Sequence, residues 1–437
     1  MSSKSTVILA LAATTLAQST HPGVSSPVAK TCGPSTANIV CLDRYASVLP
    51  YHFSRNDTAG VVEPYPFGST SVPNDTSFGL VQNADFLVFD QDRAFELLGE
   101  SPTHDFMFEI PPAVHEAPVY VPGLNKLFFS QLSPGFLPQY VVDLNQDPPT
   151  LGEFVSDPPV YAPNGGTFHD GLIYWGKLSS RHRSSSIQLT AFSTPAVAGG
   201  NTSINGTEQR PGIRTLDPRT NKTTTLLNNY YGHYFNGPDD LFVDATGAIW
   251  FTDPINAWLL HITDTPPQLP AATYRFDPAT GAVTLVDDSL SQPNGIALSP
   301  DGKHVYIGDT GAISVTDVAS GSGALTFDAA GPRTVYKFDI VDNGTHISGK
   351  KPLWLSQDWI PDGLKVAANG FVLAGTGNGV DVLDPLGVLV VRVQANYTVQ
   401  NFAWVGEGLS EFWMVGQGGV SRIRWELKGQ DLAKSTA

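Results

Sequence analysis

Residues 239–253 read DDLFVDATGAIWFTD: two acidic residues, a short apolar run, a polar turn around Gly247, and a second apolar run ending at Asp253. Two short apolar runs joined by an Asp/Gly turn are the pattern of a β-hairpin. The pattern recurs as EAPVYVPGLNKLFFSQ from Glu116, NGGTFHDGLIYWGK from Asn164, NGIALSPDGKHVYIGD from Asn294, DGLKVAANGFVLAG from Asp362 and NFAWVGEGLSEFWMVG from Asn401, six copies in all. Further strand-and-turn segments stand between copies, such as YRFDPATGAVTLV and VDVLDPLGVLVVRV. Each unit therefore supplies about four strands at a spacing of about 40–50 residues, the mark of a propeller. The runs are too short and too often broken by proline and glycine for helices.

The fold expected is thus all-β, a six-bladed propeller of four-stranded antiparallel sheets. The expected organisation is a signal peptide over 1–17, an N-terminal extension with one disulfide over 18–83, the propeller over 84–428 and a tail over 429–437. Ring closure is expected to pair a strand near 84–90 with the strand ending at 421–425, which removes the open edges of the ring.

Of the 437 residues 41% are hydrophobic and 15% charged, enough apolar material for a large core and too little charge for disorder. A net charge of -16 argues against nucleic acid or an anionic membrane as partner. A small-molecule substrate is expected instead, and the oligomeric state is not legible. Lys4 followed by the apolar stretch 6–16 and the small-residue pattern ending at Ala17 reads as a secretory signal. Asn56, Asn74, Asn201, Asn205, Asn221, Asn343 and Asn396 each open a glycosylation sequon, consistent with a secretory route. Cys32 and Cys41, the only cysteines, are expected to pair in an oxidising compartment, the alternative being two free thiols.

The first strand of a propeller blade lines the axis, so residues at one point of the repeat share one ring. Here that point holds Glu116, Asn164, Asp239, Asn294, Asp362 and Asn401. Taken singly, Asn-Gly and Asp-Gly equally make tight turns. Taken in register, they converge, and burying so many carboxylates and amides is costly without a cation. Oxygen donors without sulfur or clustered imidazole select a hard ion, and an all-protein cage favours Ca2+ over another divalent cation.

The motifs HEAPVYVPGLNKLFFSQ, PNGGTFHDGLIYWG, FNGPDDLFVDATGAIWFTDP, QPNGIALSPDGKHVYIGDTG and IPDGLKVAANGFVLAG resemble the senescence-marker-protein-30/gluconolactonase family, most closely its secreted fungal branch. The resemblance implies metal ligation by Glu116, Asn294 and Asp362, with Asp239 as the fourth ligand. Family members usually carry Pro-Asn-Asp where this chain has Pro238-Asp239-Asp240, so the set gains a carboxylate. His233 stands where many relatives have arginine. The resemblance also implies hydrolysis of lactones or related esters, with Asp362 and Asp240 as candidate bases. Asn164, His169, His233 and Asn236 are the expected substrate contacts. Two other readings stay open: a cyclase of fungal secondary metabolism that uses the channel to orient its reactants, and a non-catalytic binding propeller. The Gly-X-Ser-X-Gly elbow of serine hydrolases does not occur.

Overall fold

The computed structural model describes residues 27–43, 53–55, 67–133, 136–178, 203–204, 207–260, 262–263, 266–315 and 325–433. The expected signal peptide and the sequons at Asn56, Asn201 and Asn205 lie outside these residues.

The fold is an all-β propeller. Four antiparallel sheets of four strands each follow one another along the chain. The first is Val114–Val121, Lys126–Leu132, Gln139–Asp143 and Thr150–Phe154. The second begins with Pro163–His169, the third with Leu241–Val243 and the fourth with Pro293–Leu298. Two short two-stranded sheets stand apart, Ser203–Ile204 with Thr207–Glu208 and Ile313–Val315 with Leu325–Phe327, and the other strands form one ten-stranded sheet threaded by the long strand Leu389–Val405. Through residues 389–399 that strand pairs with Gly377–Leu383, and through residues 398–405 it pairs with Glu411–Gln417. The first strands of the sheets touch one another in cyclic order, from Val114–Val121 round to the Leu389–Val405 strand and back.

Several hairpin turns are tied by an aspartate side chain, among them those at Asp244, Asp277 and Asp384. Asp244 accepts from the amides of Thr246 and Ala248 and, at 2.8 Å, from the indole of Trp250. Register then follows the alternation of apolar residues, with Leu241 opposite Phe251 and Val243 opposite Ile249. Side chains on facing sheets interlock to make the core. Phe242 and Trp250 of the third sheet pack with Ile296, Val305, Ile307 and Phe338 of the fourth, all nearly solvent-free.

Two expectations need revision. The strand that closes the ring is Thr103–Glu109, which pairs with Gly419–Arg424. Residues 86–88 instead pair with residues 391–393 on the outer side of the neighbouring strands. The described part of the N-terminal extension is also integral to a sheet. Ala29–Thr31 pairs with Ile39–Leu42, which runs parallel to Phe86–Val88, and Ile39 to Leu42 are almost fully buried. Cys32 and Cys41 form a disulfide across that first hairpin, their Cα atoms 5.8 Å apart.

The Asn-Gly dipeptides follow the ring reading and not the tight-turn alternative. Asn164-Gly165 and Asn294-Gly295 lie inside inner strands, not in turns. A Cβ on Gly165 would stand 2.1 Å from the Asp239 carbonyl oxygen, and one on Gly295 would stand 2.2 Å from that of Asp362. Glycine is required there because the next sheet's backbone fills the space a methyl would need. We therefore expect Gly295→Ala to destabilise the fold by about 3 kcal/mol or more, since a backbone cannot yield as a side chain can. Gly171→Ala, at a left-handed turn with no atom within 4 Å, should cost only about 1 kcal/mol. Urea unfolding of the two variants checks the contrast.

Candidate active site

At one mouth of the channel a cavity of about 220 Å³ opens, and Glu116, Asn164, Asp239, Asn294 and Asp362 all line it. Each stands within two residues of the start of an inner strand, so the repeat delivers five of its six equivalent positions to one place. The sixth, Asn401, is the support of the first: its amide donates to Glu116 Oε2 at 2.9 Å, while its oxygen accepts from the Phe402 amide.

The backbone holds these positions from below. Gly295 N donates to the Asp362 carbonyl at 3.1 Å, Thr252 Oγ1 donates to the Asn294 carbonyl at 2.6 Å, and Asp239 N donates to the Thr252 carbonyl at 2.8 Å. A carboxylate at the end of the second strand then brackets the loop leading into the inner strand. Asp253 accepts from the amides of Asn236 and Gly237 at 3.0 and 2.8 Å. Asp309 does the same for Ser291 and Gln292, at 2.9 Å each. The two brackets sit the same distance ahead of Asp239 and Asn294. Both were visible as the terminal Asp of WFTD and VYIGD, but a terminal Asp alone does not disclose what it holds.

Electrostatics set this floor apart. Burial raises the proton affinity of Glu116 well above the ordinary carboxyl range, and repulsion from Asp362 and Asp239 adds to it. Asp239 is raised in the same way, by burial and then by Asp362 and Asp240. Asp362 is pushed up to about 7, by burial first and by Asp240 second. Amides offset part of the cost, with Asn256 Nδ2 donating to Asp239 Oδ2 at 3.2 Å. Asn256 opens the short helix Asn256–Leu259 and escaped the sequence reading, because no repeat marks it.

Other expected site residues lie elsewhere. Asp240 points away from the cavity: Lys365 Nζ sits 3.1 Å from its Oδ2, and its Oδ1 accepts from the Leu241 amide. His169 is at the far end of its strand, where Nδ1 meets the Leu432 carbonyl at 2.9 Å beside the C-terminal residues. His233 is an exposed member of the Tyr230–His233 turn. Asn236 turns its amide to the Asp253 and Pro270 carbonyls and does not line the cavity.

Among the described residues no three His, Cys, Asp or Glu side chains are close enough to form a metal cluster by themselves. The donor chemistry nevertheless suits a hard cation, because every floor residue offers oxygen and three offer buried carboxyls without a basic partner among the described residues that line the cavity.

Residues 180–417 match the model of the SMP-30/gluconolactonase/LRE-like region. The chain belongs to that family. It is 44% identical to a lactonohydrolase of Aspergillus oryzae, over 93% of this chain and 90% of the relative. A second lactonohydrolase of that fungus is 35% identical, over 93% of this chain and 95% of the relative. Among solved structures, a gluconolactonase from Xanthomonas campestris superposes with a TM-score of 0.57 at 19% identity, covering 76% of this chain and 92% of that one. A calcium-binding regucalcin from Agrobacterium tumefaciens superposes at 0.51 and 15% identity, covering 77% and 98%. At such identities the structures speak for the shared propeller alone.

The family member's bracket at Asp253 has a pH signature. Burial pushes this carboxyl from 3.8 to about 7, against the pull of the two amides. Folding therefore favours its protonated form, so its contribution is most favourable below pH about 4 and is lost as pH rises toward 7. Between those limits the stability of Asp253→Asn should fall less with pH than that of the wild type, by up to about 1.4 kcal/mol per pH unit, in urea titrations at stepped pH.

Proposed function

We propose that the protein hydrolyses lactones or related esters at this cavity, with a divalent cation, Ca2+ foremost, held by Glu116, Asp239, Asn294 and Asp362. The observation that carries the reading is the convergence of five oxygen-bearing side chains on one cavity floor. It is supported by the 44% identity to a lactonohydrolase along nearly the whole chain.

A cation bound there would polarise the lactone carbonyl. The chain's own residues do the rest. Asp362, on the floor beside that cation, is the candidate base. It takes one proton from the attacking water while the oxygen bonds to the carbonyl carbon. The ring C–O bond then breaks, and Asp362 returns that proton to the departing alkoxide, leaving a hydroxy acid. Asp240 is already engaged by Lys365, so the base role falls to Asp362, and Asp240 contributes charge from below. Asn164, the floor amide not assigned to the cation, is the proposed donor to the substrate.

The same reading counts six blades, obtained by dividing the ten-stranded sheet at the middle of Leu389–Val405 and assigning Thr103–Glu109 to the last blade. It also takes the protein into the secretory pathway. The disulfide supports this, as do the exposed positions of Asn74, Asn343 and Asn396 and the partly exposed position of Asn221.

With a lactone panel and added divalent ions, Asp362→Asn should lower kcat by about 10²–10⁴-fold. A chelator should abolish wild-type turnover and lower its melting temperature. Cleavage undiminished in Asp362→Asn removes the assigned base. Absence of turnover with every lactone and ester would return the cyclase or binding reading. Expression in a eukaryotic host should give a product that starts near Gln18 and loses mass on deglycosylation; an unprocessed, unglycosylated cytosolic product overturns the export proposal.

A further inference from the structure

Beyond its polar floor, the described residues that bound the cavity are largely hydrocarbon. Val114, Leu132, Leu259, Leu260, Trp359 and Ile360 line it. Polar lining away from the floor comes chiefly from the ten-stranded sheet, at Asn378, Thr398, Gln400 and Gln417. We propose that the substrate is a lactone bearing an apolar alkyl or aryl arm, not a polyhydroxylated sugar lactone; this rests on the lactone-hydrolase reading above.

Three observations support it. A sugar lactone presents hydroxyls around its whole ring, and those facing leucine and tryptophan would be stripped of water without gaining a partner, which is where hydroxyl-rich ligands lose most affinity. An apolar arm loses nothing there. Leu260 is 42% exposed and Trp359 is half-buried, so apolar area stands open at the mouth for an occupant to cover. The volume, small beside the roughly 300–1,000 Å³ of drug-sized pockets, suits one ring with a short chain.

Trp359 is held ready for this contact. Its ring stacks on Phe327 with centroids 5.2 Å apart and planes 14° apart. The preceding residue, Asp358, is buried and clamped: the Phe67 amide donates to its Oδ1 at 3.0 Å, and Arg392 ion-pairs with its Oδ2. Arg392 in turn grips Asp381 through Nε and Nη2, at 2.6 and 2.9 Å. The N-terminal extension thus braces the wall that would receive the apolar arm. Trp359 and Leu260 are specificity-determining residues on this reading.

The test measures kcat/KM with the metal-loaded full chain for γ-butyrolactone, γ-hexalactone, γ-octalactone and glucono-δ-lactone. The expected result is a rise of about fourfold per added CH2 until the cavity is full. Glucono-δ-lactone should fall at least about tenfold below γ-octalactone. Trp359→Ala, and Leu260→Ser at the exposed rim, should each lower the ratio of γ-octalactone to γ-butyrolactone by at least about fivefold. Binding is read apart from turnover by tryptophan fluorescence with the γ-lactam that carries the same butyl arm and resists hydrolysis. It should change the signal of the wild type and do so less in Trp359→Phe. A flat or falling chain-length series, or glucono-δ-lactone as the better substrate, overturns the apolar-arm proposal while leaving the hydrolase reading intact. Lactam binding without cleavage of any lactone overturns the hydrolase reading and keeps the ligand class. Neither binding nor cleavage overturns both.

Discussion

The structure depends on how closely the inner strands approach one another around the channel. Asp239 and Asp362 present their carbonyl oxygens where side chains of Gly165 and Gly295 would otherwise project, about 2 Å from any Cβ that could be built there. That contact lets neighbouring sheets hydrogen-bond at the axis and brings five polar side chains to one cavity. Wider spacing would leave the same residues on separate walls. Glycine after the ring residue therefore serves the site through the backbone.

Closeness carries an electrostatic penalty. Glu116, Asp239 and Asp362 are buried together, and burial and mutual repulsion all favour their neutral forms. The protein spreads the cost over amides from Asn401 and Asn256 and over an ion pair that takes Asp240 out of the cavity. A floor poised in this way, below a wall of leucine, isoleucine and tryptophan, divides the cavity into a reactive part and a recognising part.

Much of this was legible in the chain. The hairpin at 239–253 and its repeats carried the all-β propeller, since alternation and turn residues are local signals. Register across the repeats carried the floor, since equivalent points of equivalent strands must lie on one ring. Pairing of Cys32 with Cys41 followed from their being the only two candidates. The histidines failed for an equally physical reason. Their spacing from the repeat start was known, but His169 lies five residues along a strand from Asn164, at the other end of the channel, and His233 lies in a turn the repeat does not govern.

By itself, then, the sequence determined which residues recur, and with them the repeated hairpins and five residues of the floor. Tertiary structure alone decided everything that depends on partners remote in the chain. It chose Thr103–Glu109 as the closing strand, docked residues 29–42 on the outer edge of a sheet, and joined Phe67 to Asp358 and Arg392 behind the cavity wall. It also turned Asp240 toward Lys365, 125 residues away, while Asp239 faced the cavity. Adjacent residues of a strand point to opposite sides, and only the assembled neighbours determine which side is the site and which is the support.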